Sequence, residues 1–257
     1  MLGAIAGDTI GSLYEFAPNK SVDFPLFCMH SSFTDDTVLT IAIADVLLHD
    51  FDLIDTLKEY SRKYPNAGYG GSYQRWAFSD SREPYDSWGN GSAMRTSPIG
   101  FFYNKESDVL KAARMCAQVT HNHPEGVRGA QATSLSIFLA RQGASKIDIR
   151  KEISIWFNYD LSKTINEIRP EYFFDVSCQG SVPQSIIAFL ESDDYEDAVR
   201  KAVSLGGDAD TMACITGGIA EAFYGPIPEN ITLETRKRLP DEFLKIIDEF
   251  YEVINKE

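Results

Sequence analysis

The sequence predicts an all-α protein. Apolar residues recur at helical spacing in stretch after stretch, alternating strand-like runs are scarce, and no Asn-Gly hairpin sits between β-branched segments. Residues 36–49 (DTVLTIAIADVLLH) place Val38, Ile41, Ala42, Ala44 or Asp45, and Leu48 on one helical face. Residues 107–119 read as a helix with Ser107 as its cap, an acidic first turn, and apolar Val109, Leu110, Ala113 and Cys116. The pattern continues over 126–142 through Leu135, Phe138 and Leu139. Pro183 suits a first turn and is expected to open a helix over 183–191. Residues 195–205 stop at Gly206-Gly207. The last helix opens at Pro240 and carries Leu239, Phe243, Ile246, Ile247, Phe250 and Ile254 as an apolar stripe between acids.

Two further segments are rich in small residues. Gly3, Ala4, Ala6, Gly7 and Gly11 form the first, and Ala213, Gly217, Gly218, Ala220 and Ala222 the second. Glycine inside a helix costs about 1 kcal/mol relative to alanine, and close approach of two helices offsets that. Two tightly packed central helices are therefore expected.

Composition narrows the function. The 257 residues are 44% hydrophobic and 24% charged, which is globular and sets aside disorder. No linker divides them, so one domain over 1–257 is expected. The 24 basic and 38 acidic residues give a net charge of -14, with no basic run, so long nucleic acid is a poor partner. The N-terminal segment lacks a basic n-region and is broken by Asp8, and Val38–Leu48 is too short to span a bilayer. A cytoplasmic, membrane-free monomer is expected. Cys28, Cys116, Cys178 and Cys214 form no C-x-x-C pair and read as reduced thiols, which argues against zinc.

The chemistry-bearing residues concentrate in two places. Thr34-Asp35-Asp36-Thr37 precedes the first apolar helix, and Gly206-Gly207-Asp208-Ala209-Asp210-Thr211 precedes the second small-residue segment. Each offers two carboxylates and hydroxyls, hard oxygen ligands suited to Mg²⁺, Mn²⁺ or Ca²⁺. Two such turns facing one another could hold two cations roughly 3.5–4 Å apart. Either cluster alone also reads as an N-cap whose acids favour the helix dipole. Capping needs one acid per helix and each site supplies two, so on spacing alone both readings stand.

Gly3-Ala4-Ile5-Ala6-Gly7-Asp8-Thr9-Ile10-Gly11-Ser12, followed by Glu15, resembles the opening of the ADP-ribosylglycohydrolase family. Further family landmarks follow in order: Phe33 to Thr37, Gly89-Asn90-Gly91-Ser92-Ala93-Met94-Arg95, Thr120-His121-Asn122-His123-Pro124, and Gly206 to Thr211. The match spans about residues 1 to 225, and no nameable motif lies beyond about 226. The resemblance implies a single compact orthogonal helical bundle with a binuclear metal cleft. It implies two Mg²⁺, with Mn²⁺ as the alternative, on Thr34, Asp35, Asp36, Asp208, Asp210 and Thr211. It implies hydrolysis of the bond between ADP-ribose and its acceptor, a modified side chain or O-acetyl-ADP-ribose, with Glu15 and Asp36 as catalytic residues. Gly68, Tyr69, Gly70, Ser87, Trp88, Gly89, Asn90, Gly91 and His121 are the implied substrate contacts, with Trp88 where the serine-acting mammalian enzyme has an aromatic against adenosine.

The acceptor is divided between branches. Asn66 stands where the arginine-acting bacterial relative has an aspartate important for activity, and Gly-Tyr-Gly with Gly-Ser-x-Tyr-Glu leans toward serine-linked or O-acetyl substrates. His121-Asn122-His123-Pro124 resembles the arginine-acting enzyme more. Each site residue also has a plain structural reading: Glu15 a loop acid, His121 and His123 partners of a helix C-terminal dipole, Asn90 a turn residue, Trp88 core, Arg95 a buried ion-pair partner. A His-Asp phosphohydrolase would rest on His49-Asp50 alone, and the D-D-x-x-D of an isoprenoid synthase fails at Leu39. The rival of another class is a catalytically inactive, ADP-ribose-binding or crystallin-like member of the same fold. Intact acidic clusters and Glu15 argue for the enzyme.

Overall fold

The structure is a computed structural model and describes residues 1–256. Its helices, in chain order, are α1 (Leu2–Gly11), α2 (Asp35–His49), α3 (Leu53–Lys63), α4 (Gly71–Ala77), α5 (Gly91–Met94), α6 (Ser97–Phe102), α7 (Glu106–Gln118), α8 (Pro124–Arg141), α9 (Lys146–Phe157), α10 (Ile165–Ile168), α11 (Cys178–Leu190), α12 (Tyr195–Val203), α13 (Ala209–Tyr224), α14 (Glu229–Arg236) and α15 (Asp241–Ile254). Among the described residues there is no strand, only an antiparallel bridge between Gly89 and Ser177, so the all-α expectation holds. No helix is long and apolar enough to cross a membrane among the described residues.

The two small-residue segments are α1 and α13, and they pack antiparallel at the centre. Every residue of α1 is buried. A Cβ added at Gly7 would lie 2.1 Å from the Ala213 carbonyl oxygen, and one at Gly3 2.6 Å from that of Gly217. The glycines are therefore required by backbone-to-backbone contact. This contact brings the C-terminal end of α1 beside the N-terminal end of α13, where the second acidic cluster lies.

The helix over 36–49 begins at Asp35, with Thr34 as the cap whose side chain accepts from the Asp36 amide. Phe33, one residue earlier, packs edge-on against Phe243 of α15 at 5.5 Å and Tyr64 at 5.9 Å. The stripe of α15 buries Phe243, Ile247 and Phe250 and leaves Ile246 and Ile254 half-buried. The C-terminal helix thus braces the turn that carries the first acidic pair.

Three boundaries differ from expectation. α7 starts at Glu106, so Ser107 lies in its first turn and does not cap it. α11 starts at Cys178, capped by Ser177, whose hydroxyl accepts from the Gly180 amide at 3.1 Å, and Pro183 lies inside the helix. The amide that proline lacks would have served the carbonyl of Gln179, which is an exposed residue. α8 starts at Pro124, with His123 as its cap. The expected set also lacked α3, α4, α5, α6, α9, α10 and α14, although Asp52 and Ser145 cap α3 and α9 through the Asp55 and Asp148 amides. Cys116, Cys178 and Cys214 are buried, Cys28 is half-buried, and all four are free thiols.

Candidate active site

The turn after α1, the start of α2 and the start of α13 meet at the floor of a cleft of ≈ 280 Å³. Carboxylate oxygens of Glu15, Asp208 and Asp210 all lie within 4.8 Å of one another. Asp35 and Asp36 line the same floor. Thr211 donates through Oγ1 to Asp36 Oδ2 at 3.2 Å, which joins the two acidic turns directly. The other oxygen, Asp36 Oδ1, is buried without a partner. Asp208 Oδ2 accepts from Asn90 Nδ2 at 2.7 Å, and Asp210 Oδ1 from the Thr211 amide at 2.9 Å.

The first turn is held by a residue that sequence reasoning quoted but gave no role. Asp8 is fully buried on α1. Its Oδ1 accepts from Thr34 Oγ1 at 2.7 Å, and its Oδ2 accepts from the Thr34 amide at 3.0 Å, the Thr37 amide at 3.1 Å and the Thr37 hydroxyl. One carboxylate thereby fixes both ends of Thr34-Asp35-Asp36-Thr37. The only signal in the sequence is an acid in the middle of a small-residue helix.

The floor is an unbalanced concentration of negative charge. No Lys or Arg lines the cleft. Burial, then the charges of Asp210 and Asp8, then a hydrogen bond with Asp210 push Glu15 up to about 8. Burial, together with Glu15 and Asp35, pushes Asp208 up to about 6 against hydrogen bonds from Asp210 and Asn90. Burial, then neighbouring acids, hold Asp35, Asp36 and Asp210 well above the usual carboxylate range. Buried carboxylates in this state either keep protons or take up a cation. The donor set is all hard oxygen, and Asp36 Oδ1 is free to coordinate, so the residues fit a divalent cation of the Mg²⁺ or Mn²⁺ kind.

The walls are glycine-rich. Gly68 (φ +106°), Gly70 and Gly71 form one side, and Ser87, Gly89, Asn90 and Gly91 the other. The positive φ at Gly68 is a conformation that side-chain-bearing residues avoid. His121 closes the back, buried, with Nδ1 2.7 Å from Thr120 Oγ1. Burial, then the charge of Arg95, hold its pKa well below the usual histidine value, so the ring is neutral.

Of the residues singled out in the sequence, Glu15, Asp35, Asp36, Asp208, Asp210, Thr211, Gly68, Gly70, Ser87, Gly89, Asn90, Gly91 and His121 all line this cleft. Thr34, Tyr69 and Trp88 are not among the lining residues. Thr34 spends its hydroxyl hydrogen on Asp8. Tyr69 turns inward and stacks on Tyr73 at 5.5 Å. Trp88 is 52% exposed, not core, and lies against the His123 ring at 5.5 Å. His123 meets no helix C-terminus; its Nδ1 accepts from the Glu125 amide at the start of α8. Arg95 is fully buried and donates to the Cys116 carbonyl and Thr120 Oγ1, with no carboxylate partner, so it is not the ion-pair residue that its position suggested. Leu39, Gly71, Ser72, Tyr73, Tyr85, Met94 and Val176 complete the lining and were not foreseen as site residues.

The all-α bundle with its acidic floor and glycine walls belongs to a known class of hydrolases. The family model for ADP-ribosylglycohydrolase matches residues 1–257, and the chain belongs to that family of hydrolases. The match includes the stretch beyond 226, which carries no short motif. ADP-ribosylhydrolase ARH3 of Homo sapiens is 27% identical, with 90% of this chain and 86% of that protein covered. The Xenopus tropicalis ADP-ribosylhydrolase ARH3 is 27% identical over 88% of this chain and 86% of its own. A solved structure described as an ADP-ribosylglycohydrolase-related protein complex superposes with a TM-score of 0.72 at 24% identity, covering 98% of this chain and 95% of its own, and shares the fold.

Proposed function

We propose that this protein hydrolyses the bond between the anomeric carbon of ADP-ribose and its acceptor, in a reaction that needs divalent cations. The observation that carries this reading is the unneutralised set of half-buried Glu15 and Asp35 and buried Asp36, Asp208 and Asp210 at the floor of a glycine-walled cleft. The relatives named ADP-ribosylhydrolase support the substrate.

Thr34, Asp35, Asp36, Asp208, Asp210 and Thr211 would hold two Mg²⁺, with Mn²⁺ as a substitute. Such a pair, when bound, orients ribose hydroxyls and a water and lowers that water's pKa. The glycine walls offer backbone N–H groups to the diphosphate, which suits an acidic protein with no cleft lysine. His121 supplies a neutral ring for a further polar contact. Trp88, half-exposed beside the cleft wall, offers a face on which adenine can stack. Glu15, ionised when cations balance the neighbouring acids, would accept the proton of the attacking water and pass it to the acceptor as the bond to the anomeric carbon breaks through an oxocarbenium-like transition state. Asp36 is the second catalytic carboxylate, tied to Thr211 through Oδ2.

The acceptor is a mono-ADP-ribosylated protein side chain or O-acetyl-ADP-ribose, with serine or acetyl favoured over arginine by Asn66 and the Gly-Tyr-Gly form. We further read the chain as one domain over 1–257, acting as a cytoplasmic monomer, consistent with its reduced thiols. The test is release of ADP-ribose from serine-linked, arginine-linked and O-acetyl substrates, each with Mg²⁺ and with EDTA. Release from one substrate only with Mg²⁺ is expected. Equal release in EDTA would overturn the metal requirement, and binding of ADP-ribose without release from any substrate would overturn the hydrolase reading.

A further inference from the structure

The proposed reaction leaves two motif residues without a task, Arg95 at the end of the Gly89–Arg95 motif and Thr120 at the start of the next. They touch. Arg95 Nη2 donates to the Cys116 carbonyl at 2.7 Å and to Thr120 Oγ1 at 2.9 Å, while Nε and Nη1 have no partner. A fully buried arginine is normally paired with an acid, and among the described residues this one has only a carbonyl and a hydroxyl as partners. Thr120 is fully buried as well, and its Oγ1 lies 2.7 Å from His121 Nδ1.

Donor counting fixes the direction of the first of these bonds. Arginine has donors only, so Thr120 Oγ1 accepts from Arg95. The hydroxyl keeps one hydrogen and a second lone pair, so toward His121 Nδ1 it either donates or accepts, according to the tautomer. When the hydroxyl donates, Nδ1 accepts and the neutral imidazole carries its hydrogen on Nε2. Nε2 is the nitrogen that faces the cleft: a Cβ added at Gly91 would lie 3.3 Å from it, and one at Gly89 3.5 Å. Glycine at both positions leaves the approach to that nitrogen open.

We propose that Arg95 is a positioning residue that acts through Thr120 to hold His121 as the neutral Nε2–H tautomer, a donor aimed at a phosphate or ribose oxygen in the cleft. The ligand in this inference rests on the ADP-ribose reading; the tautomer does not. An N–H of the opposite tautomer would point away from the cleft and leave a lone pair facing an anionic ligand.

The test is nitrogen-15 spectroscopy of the histidine rings in the free wild-type protein, with His121→Gln assigning the signal among the four histidines. The expected spectrum shows hydrogen on Nε2 and a bare Nδ1. Thr120→Val is expected to lose that single tautomer and to weaken ADP-ribose binding about tenfold, the effect of one hydrogen bond. Thr120→Ser is expected to restore both. Arg95→Lys, which keeps the charge and loses the fork, is expected to give a mixture of tautomers. Hydrogen on Nδ1 in the wild type overturns the proposal whether or not the variants fold. A Thr120→Val or Arg95→Lys protein with the wild-type tautomer and affinity overturns the role of the residue changed. A wild type with the Nε2 hydrogen but no affinity for ADP-ribose supports the relay and overturns the ligand instead.

Discussion

The Asp8 carboxylate on α1 receives the amide and the hydroxyl of Thr37 on α2, although the two residues lie 29 positions apart. Because the same carboxylate also receives both donors of Thr34, the geometry of the first acidic turn is set by the central helix and not by the turn itself. Asp8→Asn keeps the shape and replaces an acceptor with a donor that faces other donors. Mg²⁺ affinity is expected to fall roughly 10- to 100-fold, as for other groups that orient ligands from behind, and stability by about 1–3 kcal/mol. Thermal shift against a Mg²⁺ titration reads both; an unchanged midpoint of the titration would count against this role for Asp8.

Asp36→Ala and Asp208→Ala address the site directly. Each removes one member of a crowded acidic group, so repulsion in the metal-free protein eases and the fold is expected to survive, as seen by circular dichroism. Turnover is expected to vanish in both. Full activity of either variant would sink the two-metal reading.

The acidic floor also sets a pH dependence. Burial and mutual repulsion raise Glu15 to about 8, Asp208 to about 6, and Asp35, Asp36 and Asp210 well above the usual range. In the unfolded chain the same groups titrate near roughly 4. Between those values the folded protein binds more protons than the unfolded chain, so stability falls as pH rises. The metal-free protein is expected to melt at a higher temperature at pH 5 than at pH 8. Excess Mg²⁺ is expected to raise the melting temperature more at pH 8, where fewer protons compete for the carboxylates. A metal-free protein equally stable at both pH values would contradict the raised carboxylates.

Both acidic pairs were legible as carboxylates at helix starts because their spacing is local; of the two cap readings, Thr34 caps α2 through the Asp36 amide, whereas Asp208 makes no cap bond to α13. The close approach of α1 and α13 was legible because only contact offsets so many helical glycines. Asp8 was not, since its partners lie 26 and 29 positions away and an isolated acid in a helix has no periodicity to read. Nor could spacing tell that Tyr69 would turn into the core while Gly68 and Gly70 beside it face the cleft, because packing against Tyr73 decides that direction. Pro183 misled for a related reason: a proline marks a helix start only when no cap lies upstream, and Ser177 does.

Gly7 offers the sharpest test of the central contact. A Cβ there would lie 2.1 Å from the Ala213 carbonyl oxygen and 2.5 Å from its carbon, both backbone atoms that cannot rotate away. Gly7→Ala must therefore push α1 from α13, separating Glu15 from Asp208 and Asp210. The expected loss of stability is about 1–3 kcal/mol or more by overpacking, with reduced turnover in whatever remains folded. Gly70→Ala is the control, since nothing lies within 4 Å of the added atom and its φ of -56° suits alanine. That variant is expected to gain about 0.4–1 kcal/mol from the stiffer unfolded chain. Denaturant unfolding of the two side by side decides the matter: equal stability would mean that α1 and α13 do not meet through their backbones.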